Sequence, residues 1–137
     1  MEGERATLQT RGGLAKRKLT FTFPRECPDG RNIGIICRYV GQRKSDPPDL
    51  RPGTNFKQLL RQADALQRME DAYAKCCGGH NRWTRLHCAL AGWMNSLDQY
   101  CDEELLVITL WYECCKLWGN KRFDCFTQAA PSRSYIP

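Results

Sequence analysis

The residues with the most chemistry available to them in this 137-residue chain are its nine cysteines: 27, 37, 76, 77, 88, 101, 114, 115 and 125. Thiols at this density form disulfides, ligate metal or act as nucleophiles, and spacing discriminates among the three. Cys76-Cys77 and Cys114-Cys115 are adjacent pairs. Neighbouring Cα atoms lie about 3.8 Å apart across a trans peptide, closer than the roughly 4.4–6.8 Å of a relaxed disulfide. Each member of a doublet therefore seeks a partner elsewhere, and each doublet is followed by a lone cysteine, Cys88 or Cys125. Zinc would draw on Cys76, Cys77, His80, His87 and Cys88. Structural zinc sites favour Cys-x2-4-Cys spacing, however, and the second cluster has no histidine. A cysteine nucleophile needs a histidine base; His80 and His87 neighbour Cys88, but no phosphate loop, serine elbow or HExxH helix accompanies them. The pattern reads as a disulfide framework in a non-enzymatic chain without metal or cofactor.

Such a framework needs elements that aim the sulfurs. Phe56, Leu59, Leu60, Ala63, Leu66, Met69, Tyr73 and Cys76-Cys77 recur at helical steps after a cap at Thr54 or Asn55, and Gly78-Gly79 ends the run. A second stripe from Asn81 runs through Trp83, Leu86, Leu90, Trp93, Met94 and Leu97 to Tyr100-Cys101, giving an antiparallel helical hairpin. Asp102-Glu103-Glu104 would oppose the dipole of a helix C-terminus and favour an N-terminus. A break there and a third helix over 103–115 are therefore expected. Residues 116–126 read as a return loop and 129–137 as a polar tail. The apolar run 33–37 fits a short helix or an extended piece, and 41–53, with three prolines, is a loop.

A doublet at a helix end can send one sulfur forward and one back. This suggests forward bridges Cys76–Cys88 and Cys114–Cys125, and backward bridges Cys77–Cys37 and Cys115–Cys101, although spacing alone leaves connectivity open. Cys27 is then the odd thiol, free or available to another chain. Each bridge stabilises by about 2–4 kcal/mol, mainly by restricting the unfolded chain.

The net charge of +6 is uneven, because residues 1–18 carry five basic and two acidic side chains, or +3. Residues 1–20 read as a disordered basic tail ahead of one module, 21–137. Its Lys16-Arg17-Lys18 run could touch heparan sulfate. The cysteines imply an oxidising compartment, whereas residues 1–18 lack a signal-peptide apolar stretch; a missing upstream piece is the expected explanation. No apolar run is long enough to span a bilayer. Trp118, in the basic loop 116–122, is the best candidate for an exposed partner contact, with Lys121 and Arg122 beside it. Arg82 and Trp83 in the basic loop 78–87 form a second candidate.

The string Phe23-Pro24, Asn32-Ile33 and Cys37 resembles the entry segment of the repeated modules of the extracellular matrix protein 1 family. The skeleton Arg61-Gln62, Leu66, Glu70, Tyr73, Cys76-Cys77, Asn81-Arg82, Cys88-Ala89, Trp93, Leu97 and Tyr100-Cys101 is similar too. So are Glu103-Glu104, Cys114-Cys115, Arg122, Cys125-Phe126, Ala130-Pro131 and Tyr135. The resemblance implies an all-α module with an albumin-like double-cysteine framework, and it supports the forward and backward pairing. It also implies a secreted, non-enzymatic glycoprotein that binds other matrix proteins and restrains matrix proteases or growth-factor activation. No nucleic-acid or membrane partner is expected. Cys27, the apolar segment 105–112 and the single module without a sequon depart from the family pattern. Two rival readings remain: an albumin-like carrier of apolar ligands, and an intracellular zinc or nucleic-acid module.

Overall fold

A computed structural model of the chain describes residues 22–44, 56–107 and 113–137. The basic tail with Lys16-Arg17-Lys18, the caps Thr54 and Asn55, most of the 41–53 loop and the segment 108–112 lie outside the described residues. The described elements are helical: α1 (Ile33–Arg38), α2 (Phe56–Cys76), α3 (Arg82–Val107), a 3-10 turn (Glu113–Lys116) and α4 (Asn120–Ala129).

The ambiguous apolar run 33–37 becomes α1 because Asp29 starts it. Asp29 Oδ1 accepts from the backbone N–H groups of Arg31 and Asn32, each at 2.8 Å, and Asn32 Oδ1 accepts from Asp29 N at 2.8 Å. These bonds fix the turn that leads into the helix, and the Asp29 carbonyl accepts from Ile33 N at 3.0 Å to begin it. Ile33 and Ile36 then face the core.

α2 and α3 form the antiparallel hairpin that the stripes predict. Gln58 meets Tyr100, Ala72 lies against Gly92, and Cys76 bonds Cys88, so partners descend along α3 as they ascend along α2. Leu66, Met69 and Tyr73 pack with Trp93, Leu97 and Tyr100 in the core. The hairpin turn tightens through Gly78 N to Lys75 O and Gly79 N to Cys76 O. Asn81 Oδ1 then caps α3 by accepting from Thr84 N at 2.8 Å.

Three expectations are corrected. The break at Cys101-Asp102 does not occur: α3 runs unbroken to Val107. Across from it, Arg61 of α2 holds the fully buried Glu104 at 2.5 Å, and Arg68 lies 3.7 Å from Glu103. These cross-helix cations answer the acidic run, so it does not have to begin a new helix. Residues 103–107 therefore belong to α3, and Glu113–Lys116 is a 3-10 turn. The return loop after residue 116 contains α4, whose Phe126 is buried. The polar tail is also anchored, since Ser134 and Tyr135 are buried against the core.

Four disulfides link Cys37–Cys77, Cys76–Cys88, Cys101–Cys115 and Cys114–Cys125, with Cα separations of 5.0–5.4 Å. Successive residues on a helix diverge by about 100°. One sulfur of the first doublet thus reaches α3 and its neighbour reaches α1. The second doublet, in the 3-10 turn, likewise divides its sulfurs between α4 and α3. Cys27 carries no disulfide among the described residues.

Candidate functional site

Trp118 stands between two disulfide-held pieces, the 3-10 turn and α4. Gly119 follows it at φ 60°, ψ −139°, a backbone state natural to glycine. There the chain turns sharply, and the Gly119 carbonyl accepts from Arg122 N and Phe123 N to begin α4. Arg122 points back under the loop and is 1 % exposed. Its guanidinium donates to Leu117 O at 2.8 Å, Cys115 O at 3.0 Å and Asp98 Oδ1 at 2.9 Å. The same group lies 4.5 Å from the Trp118 ring centroid. One face of the indole is thereby held on a cation, while the side chain remains 64 % exposed. The neighbouring Lys121 is exposed, and Lys116 pairs with Glu113 at 3.1 Å.

These positions revise the sequence reading of Arg122, which places it as an exposed contact in a basic loop. Its hydrogen bonds make it the peg beneath Trp118, so its own surface offers a partner almost nothing. Trp118 and Lys121 are exposed as the reading requires.

Arg82 and Trp83 lie elsewhere, at the start of α3. Trp83 is 67 % exposed and meets the His87 ring edge-on at 4.4 Å, and Arg82 donates to Gly30 O. Arg122 joins α3 at Asp98, sixteen residues after Arg82, or about 24 Å along the helix. The two basic loops are therefore separate surfaces.

A buried ionic cluster has no signal in the sequence. Glu70 of α2 receives Arg25 at 2.7 Å on Oε2, and Arg43 at 2.8 Å on Oε2 and 2.9 Å on Oε1. Arg43 also reaches Ile36 O and Tyr135 O, and Trp93 Nε1 donates to Arg25 O at 3.0 Å. A single arginine in a loop has no periodicity to betray its burial. Glu70 is visible in the sequence only as a family anchor.

Cys27 is half-buried against α4. Burial first, then Asp29 and Asp124, push its thiol up, against a hydrogen bond with Thr127 that pulls the other way. The sulfurs of Cys76, Cys77 and Cys88 are in disulfides and are not available as zinc thiolates. Among the described residues, no group of three or more His, Cys, Asp or Glu side chains is placed to hold a metal. No helix among them is long and apolar enough to cross a membrane.

The double-cysteine plan and its helical carriers match a known sequence family. Residues 4–137 fit the profile of extracellular matrix protein 1. The chain belongs to the extracellular matrix protein 1 family. It is 34% identical to the rat protein named extracellular matrix protein 1 over 114 residues, which are 83% of this chain and 20% of the relative. The human protein of that name is 32% identical over 127 residues, 93% of this chain and 23% of the relative. The chain thus spans about a fifth of the length of the curated relatives it matches. No solved structure matches it. Family membership assigns it to the secreted, extracellular matrix setting, the oxidising kind of environment in which disulfides persist.

Proposed function

We propose that the chain is a non-enzymatic protein-interaction module of the matrix whose contact surface centres on Trp118. The observation that carries this reading is the indole held over buried Arg122 and left 64 % exposed. A large aromatic already fixed in place loses little freedom on binding, which is the character of an interface anchor. The Cys114–Cys125 and Cys101–Cys115 bridges fix the segments on either side of it. Lys121 supplies a polar rim. The apolar stripes of α2 and α3 are spent on the core, which favours this reading over a carrier of apolar ligands. The disulfides occupy eight sulfurs, and burial, then the carboxylates near Cys27, disfavour the thiolate a nucleophile would need.

The test uses the oxidised chain on surfaces coated singly with purified matrix proteins and with a matrix protease. Trp118→Ala should weaken the bound partner roughly 30-fold, as loss of a hot-spot anchor does, with the thermal midpoint nearly unchanged. Binding equal to the unsubstituted chain would remove this loop as the contact. Slower peptide hydrolysis by the coated protease in the presence of the chain would support the restraint that the family resemblance implies.

A further inference from the structure

We propose that the Cys76–Cys77 end of the hairpin is a docking surface for sulfated polysaccharide chains of the matrix. Two disulfides gather the basic residues there. Cys37–Cys77 brings α1 and its exposed Arg38 to the end of α2, where Lys75 is exposed; Cys76–Cys88 adds the first turns of α3. Arg82 donates to Gly30 O and so draws in the adjacent Arg31, whose side chain is 95 % exposed. Arg85 donates to Gly79 O at 3.1 Å and rests half-buried beside them.

Acids are few at this end. Residues 30–44 and 72–97 contain no aspartate or glutamate. Among the described residues, the acids beside this cluster are Asp29, 3.9 Å from Arg31, and Asp71, one helical turn before Lys75 and bonded to Gln67. The opposite end of α3 differs, because Asp98, Glu103 and Glu104 pair with Arg122, Arg68 and Arg61. Positive charge at the Cys76–Cys77 end is therefore left for a partner.

The chemistry of the cations selects that partner. Arg31, Arg38, Arg82 and Arg85 present guanidinium forks that suit the paired oxygens of a sulfate as they suit a phosphate. They are spread over the turn before α1, α1 itself and the first turn of α3, which suits a long, regularly charged chain laid across them. Exposed Trp83 offers a flat face for the C–H side of a sugar ring. This surface is independent of the Trp118 loop, about 24 Å away along α3, so either assignment can fail alone.

The native oxidised chain should be retained on immobilised heparin at physiological salt. Arg31→Gln, Arg38→Gln and Lys75→Gln together should lower the slope of log Kd against log salt by about 2 to 3, near one unit per lost contact. These side chains are exposed, and an unchanged thermal midpoint verifies the fold. Lys57→Gln, Lys116→Gln and Lys121→Gln together remove equal charge elsewhere and should leave the slope in place. In the unsubstituted chain, a sulfated decasaccharide should protect Lys75 from acetylation and leave Lys57 and Lys121 reactive. Equal losses in both triple variants would overturn the proposal. So would loss confined to a variant with Lys16, Arg17 and Lys18 replaced by glutamine, or equal displacement by an acidic peptide or a DNA duplex of matching charge.

Discussion

At the scale of single residues, the function of a side chain follows from where its donors go. Arg122 and Trp118 make the contrast. Trp118→Ala should cost about 1 kcal/mol or less, because the ring is mostly solvated and the cation–π contact is an exposed one. Arg122→Ala removes a buried side chain and leaves the Cys115 and Leu117 carbonyls short of a donor, so about 2–4 kcal/mol is expected in urea unfolding. Equal losses would mean that Arg122 is not the peg. The Tyr73–Tyr135 pair is ordered in the same way. Tyr135 OH donates to Glu26 O at 2.6 Å, so Tyr73 must be the donor in the 2.6 Å contact between the hydroxyls. Burial, foremost, pushes both phenols up. In the unfolded chain a tyrosine ionises near pH 10. Below that pH both states are neutral and the pair's contribution is fully present. Above it the unfolded chain releases protons that the folded chain keeps, so stability falls as pH rises, by up to about 2.7 kcal/mol per pH unit for two groups. Urea midpoints from pH 8 to 11, in a Cys27→Ser background that prevents thiol exchange, should show the fall. Tyr135→Phe should roughly halve the fall, to at most about 1.4 kcal/mol per pH unit for the remaining Tyr73, and a flat profile in the parent would refute the buried pair.

At the scale of elements, the two helices of the hairpin approach closely where Gly92 of α3 passes Ala72 of α2. A Cβ on Gly92 would lie 2.7 Å from the Ala72 Cβ. Gly92→Ala gains up to about 1 kcal/mol of helix propensity but must separate the helices, an overpacking cost of about 1–3 kcal/mol. The net expected in denaturant unfolding is destabilisation, and restoration of space by Ala72→Gly should recover it. A Gly92→Ala variant more stable than the parent would show that the helices part freely. The ionic cluster ties different elements. Glu70→Gln leaves Arg25 and Arg43 buried without their counter-charge, and about 3–5 kcal/mol should be lost. The contrast between these elements explains what can be read from sequence. The stripes of α2 and α3 are apolar and periodic, so both helices are legible, as is the cysteine plan at their ends. The continuity of α3 past Asp102 and the helix within 116–126 are not. Glu103 and Glu104 are answered by Arg68 and Arg61 from another helix, and α4 buries Arg122 beside Phe126, so its inward face does not read as apolar. Partners distant in sequence leave no local signature. The same limit hides the anchored C-terminus, because Tyr135 is held by Glu26 and Tyr73 from far along the chain.

For the whole molecule, the question is which covalent links hold α1 and the N-terminal segment to the hairpin. Three bridges close short spans of 11, 12 and 14 residues, while Cys37–Cys77 closes 40. Chain-entropy reasoning gives about 3 kcal/mol for each short bridge and about 4 kcal/mol for the long one. The difference is modest, yet the long bridge also holds α1 against the end of α2 and so keeps Arg38 near Lys75. Replacing both Cys37 and Cys77 by alanine should therefore cost more stability than replacing Cys76 and Cys88. It should leave Trp118 in place, because Arg122 and the two distal bridges do not pass through α1. Urea unfolding compares the two double variants, and an iodide-quenching titration of tryptophan fluorescence in the native state follows the indoles' exposure. If the Cys37/Cys77 variant unfolds no earlier than the Cys76/Cys88 variant, α1 is held by Arg43, Glu70 and apolar packing rather than by its bridge. If Trp118 changes its accessibility when the titration is run in a Trp83→Phe background, the two ends of the module are coupled and the separation of its two surfaces fails.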